Sequence, residues 1–193
     1  MLRYSPRYVT ATLTLLISVI GFGQTEASLD FKKADRQIIR LRPSSFPQLP
    51  LTIRQELNRR GCTIPQLWGE KTPHNVIKGS FIEPTELDWA VLCSVNRTSI
   101  ILVFPNASIS QVRELAREAD RDSLQSEGGT QIGYSRQILP IGPKQIRQYQ
   151  TWGGEASSPL PMNHQGIEDA FVGKSSAVLY FYQGKWRVFT GAD

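Results

Sequence analysis

The chain has 193 residues, of which 40% are hydrophobic and 20% are charged, and its net charge at neutral pH is +5. This length is enough for a domain with a sizeable buried core. The basic residues are scattered rather than interleaved with aromatic residues in one dense stripe, which argues against a nucleic-acid surface. The two cysteines and two histidines lack metal-site spacing, so we expect no metal and no cofactor.

The first 27 residues have the order of a secretory signal peptide. Arg3 and Arg7 precede the uncharged stretch 8–25, and the small residue Ala27 follows it. We expect cleavage after Gly23 or after Ala27. The alternative is an uncleaved membrane anchor, because the 18 uncharged residues are at the lower limit for spanning a bilayer. The sequence therefore predicts an exported protein, periplasmic or extracellular, with no membrane contact once residues 1–27 are removed.

Residues 28–47 are polar, basic and interrupted by prolines, which predicts an extended N-terminal arm ahead of a globular domain over 48–193. We interpret the charges of this arm as solvated, and the alternative is contact with an anionic surface. The basic residues are Lys32, Lys33, Arg36, Arg40 and Arg42, with Asp30 and Asp35 among them.

A short helix is predicted from Leu51 to Arg60, with Gly61 able to cap its end. Cys62 follows directly, and its only possible intramolecular partner in an oxidising compartment is Cys93. Such a disulfide could stabilise the fold by about 3–4 kcal/mol on the chain-entropy model. The alternatives for these cysteines are a reactive thiol and a metal ligand.

Two apolar, β-branched runs within residues 87–104 surround the short polar turn Asn96-Arg97. This pattern predicts a hairpin. Both runs are nearly continuous in apolar residues, which favours central strands that are covered on both faces for part of their length.

Residues 79–92 resemble one FG-GAP or VCBS-type repeat, in which Gly79, Phe81, Asp88, Ala90 and Val91 fit the pattern. The resemblance covers this segment alone and implies a tight loop that leads into a buried strand. Aspartate commonly accepts main-chain hydrogen bonds in turns, so we expect Asp88 to cap this loop, and the alternative is a catalytic or metal role with Glu83 or Glu86. The positions that would bind calcium carry Ser80, Ile82 and Pro84, so no calcium site is expected. Residues 166–171 and the last hairpin also resemble exported bacterial proteins of unknown function, which implies no activity.

Residues 108–123 are predicted to form an amphipathic helix, because Val112, Leu115, Ala116 and Ala119 follow the i, i+3, i+4, i+7 pattern. Further along the chain, the pattern predicts a strand over 130–141, a helix over 143–150 and a loop over 152–162. A helical turn is predicted over 167–171.

The C-terminus predicts a second hairpin, in which residues 176–182 meet 185–189 through Gln183-Gly184. Strand alternation sends Tyr180 and Tyr182 to the same face. If they are exposed, Tyr180, Tyr182 and Trp186 form the best candidate surface for a protein or glycan partner, because Tyr and Trp are enriched at interfaces. The alternative is that these rings belong to the core on both sides.

The best titratable cluster is His164, Glu168 and Asp169. On a helix, His164 and Glu168 would share a face, and a histidine oriented by a carboxylate can act as a general base. The other interpretation is a polar helix start, since no nucleophile motif accompanies these residues.

Taken together, these patterns predict a single α+β domain with a mainly antiparallel sheet, two or three covering helices and one disulfide. The favoured function is an exported, non-enzymatic binding or structural module. The alternatives are a cell-envelope hydrolase that uses His164 with Glu168 or Asp169, and an inhibitor of a secreted enzyme.

Overall fold

The computed structural model describes residues 30–152 and 161–192, which form mostly antiparallel sheets with three α-helices and one disulfide. The predicted signal peptide and most of the predicted loop 152–162 lie outside the described residues. The helices are α1 (Phe31–Gln37), α2 (Leu51–Arg59) and α3 (Pro143–Trp152). The strands are β1 (Arg40–Leu41), β2 (Ile64–Pro65), β3 (Val76–Gly79), β4 (Asp88–Val95), β5 (Thr98–Phe104), β6 (Arg113–Ala119), β7 (Leu124–Gly128), β8 (Gln131–Tyr134), β9 (Arg136–Ile141), β10 (Gly166–Phe171), β11 (Ser175–Tyr182) and β12 (Lys185–Thr190).

The first sheet contains β3, β4, β5 and β6 in chain order. Its β4–β5 hairpin confirms the prediction for residues 87–104. The turn residues Asn96 and Arg97 have φ values of 50° and 60°, as a tight two-residue hairpin requires. All of β4 except its last residue is buried, which explains the nearly continuous apolar run in the sequence.

The second sheet contains β9, β10, β11 and β12, also in chain order. Its last two strands confirm the predicted C-terminal hairpin, and the turn residues Gln183 and Gly184 have φ values of 49° and 76°. The predicted strand over 130–141 is present as two strands, β8 and β9. The predicted helix over 143–150 is present as α3.

Three clusters of buried side chains separate four layers. α2 packs on one face of the first sheet, whose other face packs against the second sheet, and α3 packs on the outer face of the second sheet. The first cluster includes Ile53, Leu57, Val91, Leu102 and Phe104; the central cluster includes Leu92, Ile101, Ile138, Ile167 and Leu179; and the outer cluster includes Ile146, Tyr149, Val178 and Tyr180.

The Cys62–Cys93 disulfide is present, as predicted. α2 ends as expected: Gly61 has a φ of 73°, and the Cys62 amide donates to the Leu57 carbonyl at 2.9 Å. Cys62 is therefore held directly after the helix and faces the middle of β4, so the disulfide joins α2 to the first sheet.

Asn75 joins three parts of the fold from a buried position. Its side-chain amide donates to the Pro65 carbonyl at 2.8 Å and to the Arg136 carbonyl at 3.2 Å, and its side-chain oxygen accepts from the Ile138 amide at 3.0 Å. Its main-chain carbonyl accepts from the Leu92 amide. Asn75 thus connects β2, the first sheet and the edge of the second sheet, and its φ of 67° is one that asparagine tolerates.

The expectation of an extended arm over 28–47 needs correction, because this segment is folded against the rest of the chain. α1 begins after Asp30, whose side chain accepts from the Lys33 amide at 2.9 Å. β1 pairs with β2, and Phe46 is fully buried in the first cluster. The sequence did not predict these contacts, because the segment is mostly polar and each of its elements buries only one or two side chains.

The predicted helix over 108–123 is wrong, because its centre forms the edge strand β6. Val112 packs in the first cluster and Leu115 in the central cluster, so the apolar residues serve opposite faces of the sheet instead of one helical face. A β-bulge near Ala116, which has a φ of 48°, breaks the two-residue alternation. A bulged strand therefore produced a spacing that resembles a helical one.

The predicted helical turn over 167–171 is also wrong, because these residues belong to β10, which pairs with β9 and β11. Pairing on both sides, with β9 across residues 142–165 and with the following strand β11, overrides the local pattern. Within residues 30–152 and 161–192, no helix is both long and apolar enough to cross a membrane.

An ion-pair cluster links α2 to β6. The Glu56 carboxylate accepts from Arg59 and from Arg60 at 2.7 Å, and Arg60 also contacts Glu114 at 2.8 Å. The hydrogen bonds from Arg59 and Arg60 lower the pKa of Glu56 from 4.5 to about 2, although burial opposes this shift.

Replacement of Asn75 by glycine keeps the left-handed backbone but removes the side-chain partner of the Ile138 amide and of the Arg136 carbonyl, whereas the Pro65 carbonyl still accepts from Gln66. We expect the free energy of unfolding to fall by about 2–4 kcal/mol, because each buried unsatisfied group costs about 1–3 kcal/mol. Urea denaturation measures this change. A loss below about 0.5 kcal/mol would show that the amide does not hold the two sheets together.

Because the folded pKa of Glu56 lies below its unfolded value, its ion pairs stabilise the protein above about pH 4.5 and lose this effect as the pH falls toward 2. We expect Glu56→Gln to be less stable than the parent chain at pH 6 and to approach it at pH 2. Thermal unfolding across this range is the measurement, and a stability difference that stays constant with pH would contradict the expectation.

Candidate functional site

His164 is buried before β10 and stacks on Tyr180, with ring centroids 4.3 Å apart and planes 7° from parallel. Its Nδ1 lies 2.9 Å from the Gln165 carbonyl and its Nε2 lies 2.9 Å from the Phe181 carbonyl. Both ring nitrogens are therefore directed at main-chain carbonyl oxygens, which only accept hydrogen bonds. This imidazole fixes the loop before β10 to β11 and does not offer a free nitrogen to a substrate.

Glu168 and Asp169 are neighbours on a strand, so their side chains leave opposite faces of the second sheet. Glu168 accepts from the Ser176 hydroxyl at 2.7 Å and from the Tyr149 hydroxyl at 3.4 Å. Asp169 instead forms a two-pronged ion pair with Arg136, whose Nε and Nη2 each lie 2.8 Å from a carboxylate oxygen. Each carboxylate is committed to a different partner.

The hydrolase hypothesis required these three side chains to converge, and the structure places them apart. His164 lines a cavity of about 600 Å³ together with Tyr182, whereas Asp169 lines a separate cavity of about 240 Å³. Glu168 lines neither of these cavities. The geometry therefore gives no support to a catalytic group built from His164, Glu168 and Asp169.

Arg136 has only 3% of its side chain exposed. Its Nη2 donates to the Ala116 carbonyl at 2.6 Å, and its Nη1 lies 3.5 Å from Glu118. Burial lowers the pKa of Arg136, but the hydrogen bonds and charge of Asp169 and the charge of Glu118 more than offset this, so the net shift is upward. Arg136 thus ties the bulge of β6 to β10 as a permanent cation.

The aromatic residues of the last hairpin do not form one exposed surface. Tyr180 and Tyr182 share a face, as predicted, but Tyr180 is fully buried under α3. Trp186 lies opposite Phe181, contacts it edge to face at a centroid distance of 5.5 Å, and belongs to the other side of the sheet. The expectation of a joint binding surface is corrected: only Tyr182, in the His164 cavity, keeps a partly exposed ring in a pocket.

Asp88 caps the loop that precedes β4, as predicted. It is fully buried, and its Oδ2 accepts from the amides of Phe81 and Ile82 at 2.8 and 2.9 Å. Its Oδ1 accepts from the amide of Asn106 at 2.8 Å. Both carboxylate oxygens are therefore used to shape two loops.

A buried ionic group that the sequence did not reveal fixes the N-terminal segment. Asp120 is fully buried and accepts from Arg40 at 2.6 Å and from the hydroxyls of Ser94 and Ser99. Arg40 also contacts Asp35 of α1 at 3.2 Å. α1 is consequently held against the end of the β4–β5 hairpin, and part of the predicted solvated basic cluster is structural.

The fixed position of α1 creates a cleft between this helix, residues 66–70 and the β7–β8 hairpin. We call it the Trp68 cleft; its volume is about 660 Å³. Trp68 is 47% exposed and Ile39 is 66% exposed, so large apolar surfaces face solvent at this site. The residues that line the cleft are Asp30, Lys33, Ala34, 37–39, 66–70, Leu124 and 130–134.

Trp68 is held in position by close contact with β8. Its amide donates to the Tyr134 carbonyl at 2.8 Å, and a Cβ placed on Gly133 would lie 2.4 Å from the Trp68 Cβ and Cγ. Only glycine at position 133 permits this approach. The indole is therefore fixed at its base while about half of its surface stays open, which is the arrangement of a preorganised contact residue.

The wall of the cleft also contains the ring of Tyr134, which is 2% exposed. Burial raises the pKa of Tyr134 well above its ordinary value of 10, so its hydroxyl stays protonated.

Comparison of this chain with protein-family models, curated proteins and solved structures gave no match.

Removal of the Arg136 guanidinium leaves Asp169 as a buried carboxylate without its partner. We expect Arg136→Met to lower the free energy of unfolding by about 3–5 kcal/mol, and the double variant with Asp169→Leu to recover most of this loss. Chemical denaturation of the two variants provides the test. If Asp169→Leu failed to improve the Arg136→Met protein, the proposed pairing would not be the source of the effect.

Proposed function

We propose that this protein is an exported, non-enzymatic binding module, built as a single α+β domain, and that its ligand site is the Trp68 cleft. The observation that carries the proposal is an indole that is rigidly fixed by Gly133 and yet half exposed at the mouth of a 660 Å³ cavity. Exposed aromatic rings of this kind dominate the binding energy of many interfaces. A large apolar cavity with a few polar groups is the usual form of a ligand site.

The composition of the cleft favours binding over catalysis. Among the described residues that line it, the charged ones are Asp30, Lys33 and Glu70, and none of the others is a histidine, cysteine or serine. Tyr134 is held protonated by burial and cannot serve as a base at neutral pH. Such a set can orient a ligand but offers no activated nucleophile with an adjacent base.

Export is supported by two independent features. The order of residues 1–27 is typical of a signal peptide, and the Cys62–Cys93 disulfide is of a kind that persists in oxidising compartments. We infer that the Trp68 cleft works outside the cytoplasm. The alternative that the protein inhibits a secreted enzyme stays a prediction. No feature of the Trp68 cleft favours it over the binding function.

The test compares the chain, expressed with its own leader, with its Trp68→Gln variant on glycan, peptide and lipid arrays. The matched control is Val188→Gln, because Val188 is also a largely exposed apolar residue but lies on the edge strand β12. We expect bound ligands to lose about tenfold or more in affinity with Trp68→Gln, since an anchoring aromatic contributes about 2 kcal/mol. We expect them to be unaffected by Val188→Gln.

Both variants should retain the thermal midpoint of the parent within a few degrees, because each changes an exposed side chain. Ligands that bind equally well to the parent and to Trp68→Gln would locate the site elsewhere, and the His164 cavity with Tyr182 would be the next region to examine.

A further inference from the structure

The β7–β8 hairpin presents an open strand edge to the Trp68 cleft. The Ser135 amide donates to the Ser123 carbonyl at 2.8 Å, and Gly133 lies opposite Gln125 in the ladder. Main-chain groups alternate in direction along a strand, so those of residues 133 and 135 point toward β7. The groups of Ile132 and Tyr134 consequently point the other way.

The direction of the Tyr134 carbonyl agrees with this alternation, because it accepts from the Trp68 amide. The segment at Trp68 covers the edge at this one residue, and the chain then turns at Gly69, which has a φ of 76°. Ile132 lies two positions further along the same edge and lines the cleft. Within the described residues, its amide and carbonyl have no main-chain partner outside the hairpin.

An unpaired amide and carbonyl on one strand residue fit the main chain of an extended peptide. The apolar surface next to this edge, Trp68 and Ile39, fits a side chain of that peptide. The charged side chains that line the cleft are two carboxylates, Asp30 and Glu70, and one ammonium group, Lys33. This net negative charge favours a positively charged peptide residue.

We propose that the Trp68 cleft binds an extended peptide of another protein, which adds a strand along the Ile132 edge and places an apolar side chain against Trp68. This inference rests on the proposed binding function and specifies its ligand class. Main-chain pairing supplies affinity that does not depend on sequence. The apolar surface of Trp68 selects an apolar peptide residue, and the neighbouring carboxylates select a basic residue near it.

The experiment selects linear 12-residue peptides, displayed on phage, against the full chain, with subtraction against Trp68→Gln. The enriched peptides are synthesised, and each main-chain nitrogen is methylated in turn. A methyl group at the nitrogen that donates to Ile132 removes a hydrogen bond, so the affinity should fall about tenfold, whereas methylation of the flanking nitrogens should change it much less. One sensitive nitrogen between insensitive neighbours is the signature of strand addition at Ile132.

The protein side is tested by Ile132→Pro, which removes the outward amide without touching the ladder to β7, a position where a strand tolerates proline. Ile132→Ala is the matched control, because it shortens the side chain but keeps the amide. We expect Ile132→Pro to lose about tenfold more affinity than Ile132→Ala. The scan of methylated peptides uses the unaltered protein and decides the question if Ile132→Pro does not fold.

The outcomes separate the two proposals. Peptides whose affinity does not depend on one such nitrogen would overturn strand addition but keep the binding function. If the ligands that depend on Trp68 are glycans or lipids and no peptide is enriched, strand addition would be overturned and the binding function would be kept. A concentration-dependent dimer that Ile132→Pro abolishes would make a second copy of this chain the occupant and overturn the proposal. The absence of any Trp68-dependent ligand would overturn both.

Discussion

The arrangement of this protein depends on the buried side-chain amide of Asn75, which takes the place of main-chain pairing between elements that do not share a ladder. One residue bonds to β2 at Pro65, to β4 at Leu92 and to β9 at Arg136 and Ile138. Buried amide and carbonyl groups must find partners, and the edges of the two sheets meet at the point where Asn75 supplies them. The central apolar cluster can then close between the sheets.

The other buried polar groups extend the same principle to the periphery. Arg136 joins the bulge of β6 to β10, and Asp120 joins Arg40 to the paired serines of the β4–β5 hairpin. Because Arg40 also contacts Asp35 of α1, this second group determines where α1 lies. The Trp68 cleft has α1 as one wall, so an ion pair buried at some distance from the cleft helps to set its width.

The sequence predicted those parts of the fold in which the signal is local. The two tight hairpins, α2 with Gly61 at its end, and the Cys62–Cys93 disulfide all follow from turn residues, periodicity or cysteine count. The errors fall where strand pairing, rather than local periodicity, determines structure: β6 pairs with the edge of β5 through a bulge, and β10 lies between two strands. The Trp68 cleft was not predicted because Trp68 lies in a short irregular segment, and its position depends on the absence of a side chain at Gly133, far along the chain. Tyr180 was chosen for its residue type, although its register places it under α3.

Whether ligand recognition takes place in the Trp68 cleft, as proposed, can be tested by a nitrogen-15 NMR titration of the full chain with an enriched peptide. We expect the indole signal of Trp68 and the amide signals of residues 131–134 to shift together and to saturate at one peptide concentration. Shifts concentrated at Tyr182 and His164, with the Trp68 indole unchanged, would contradict this proposal and assign recognition to the His164 cavity.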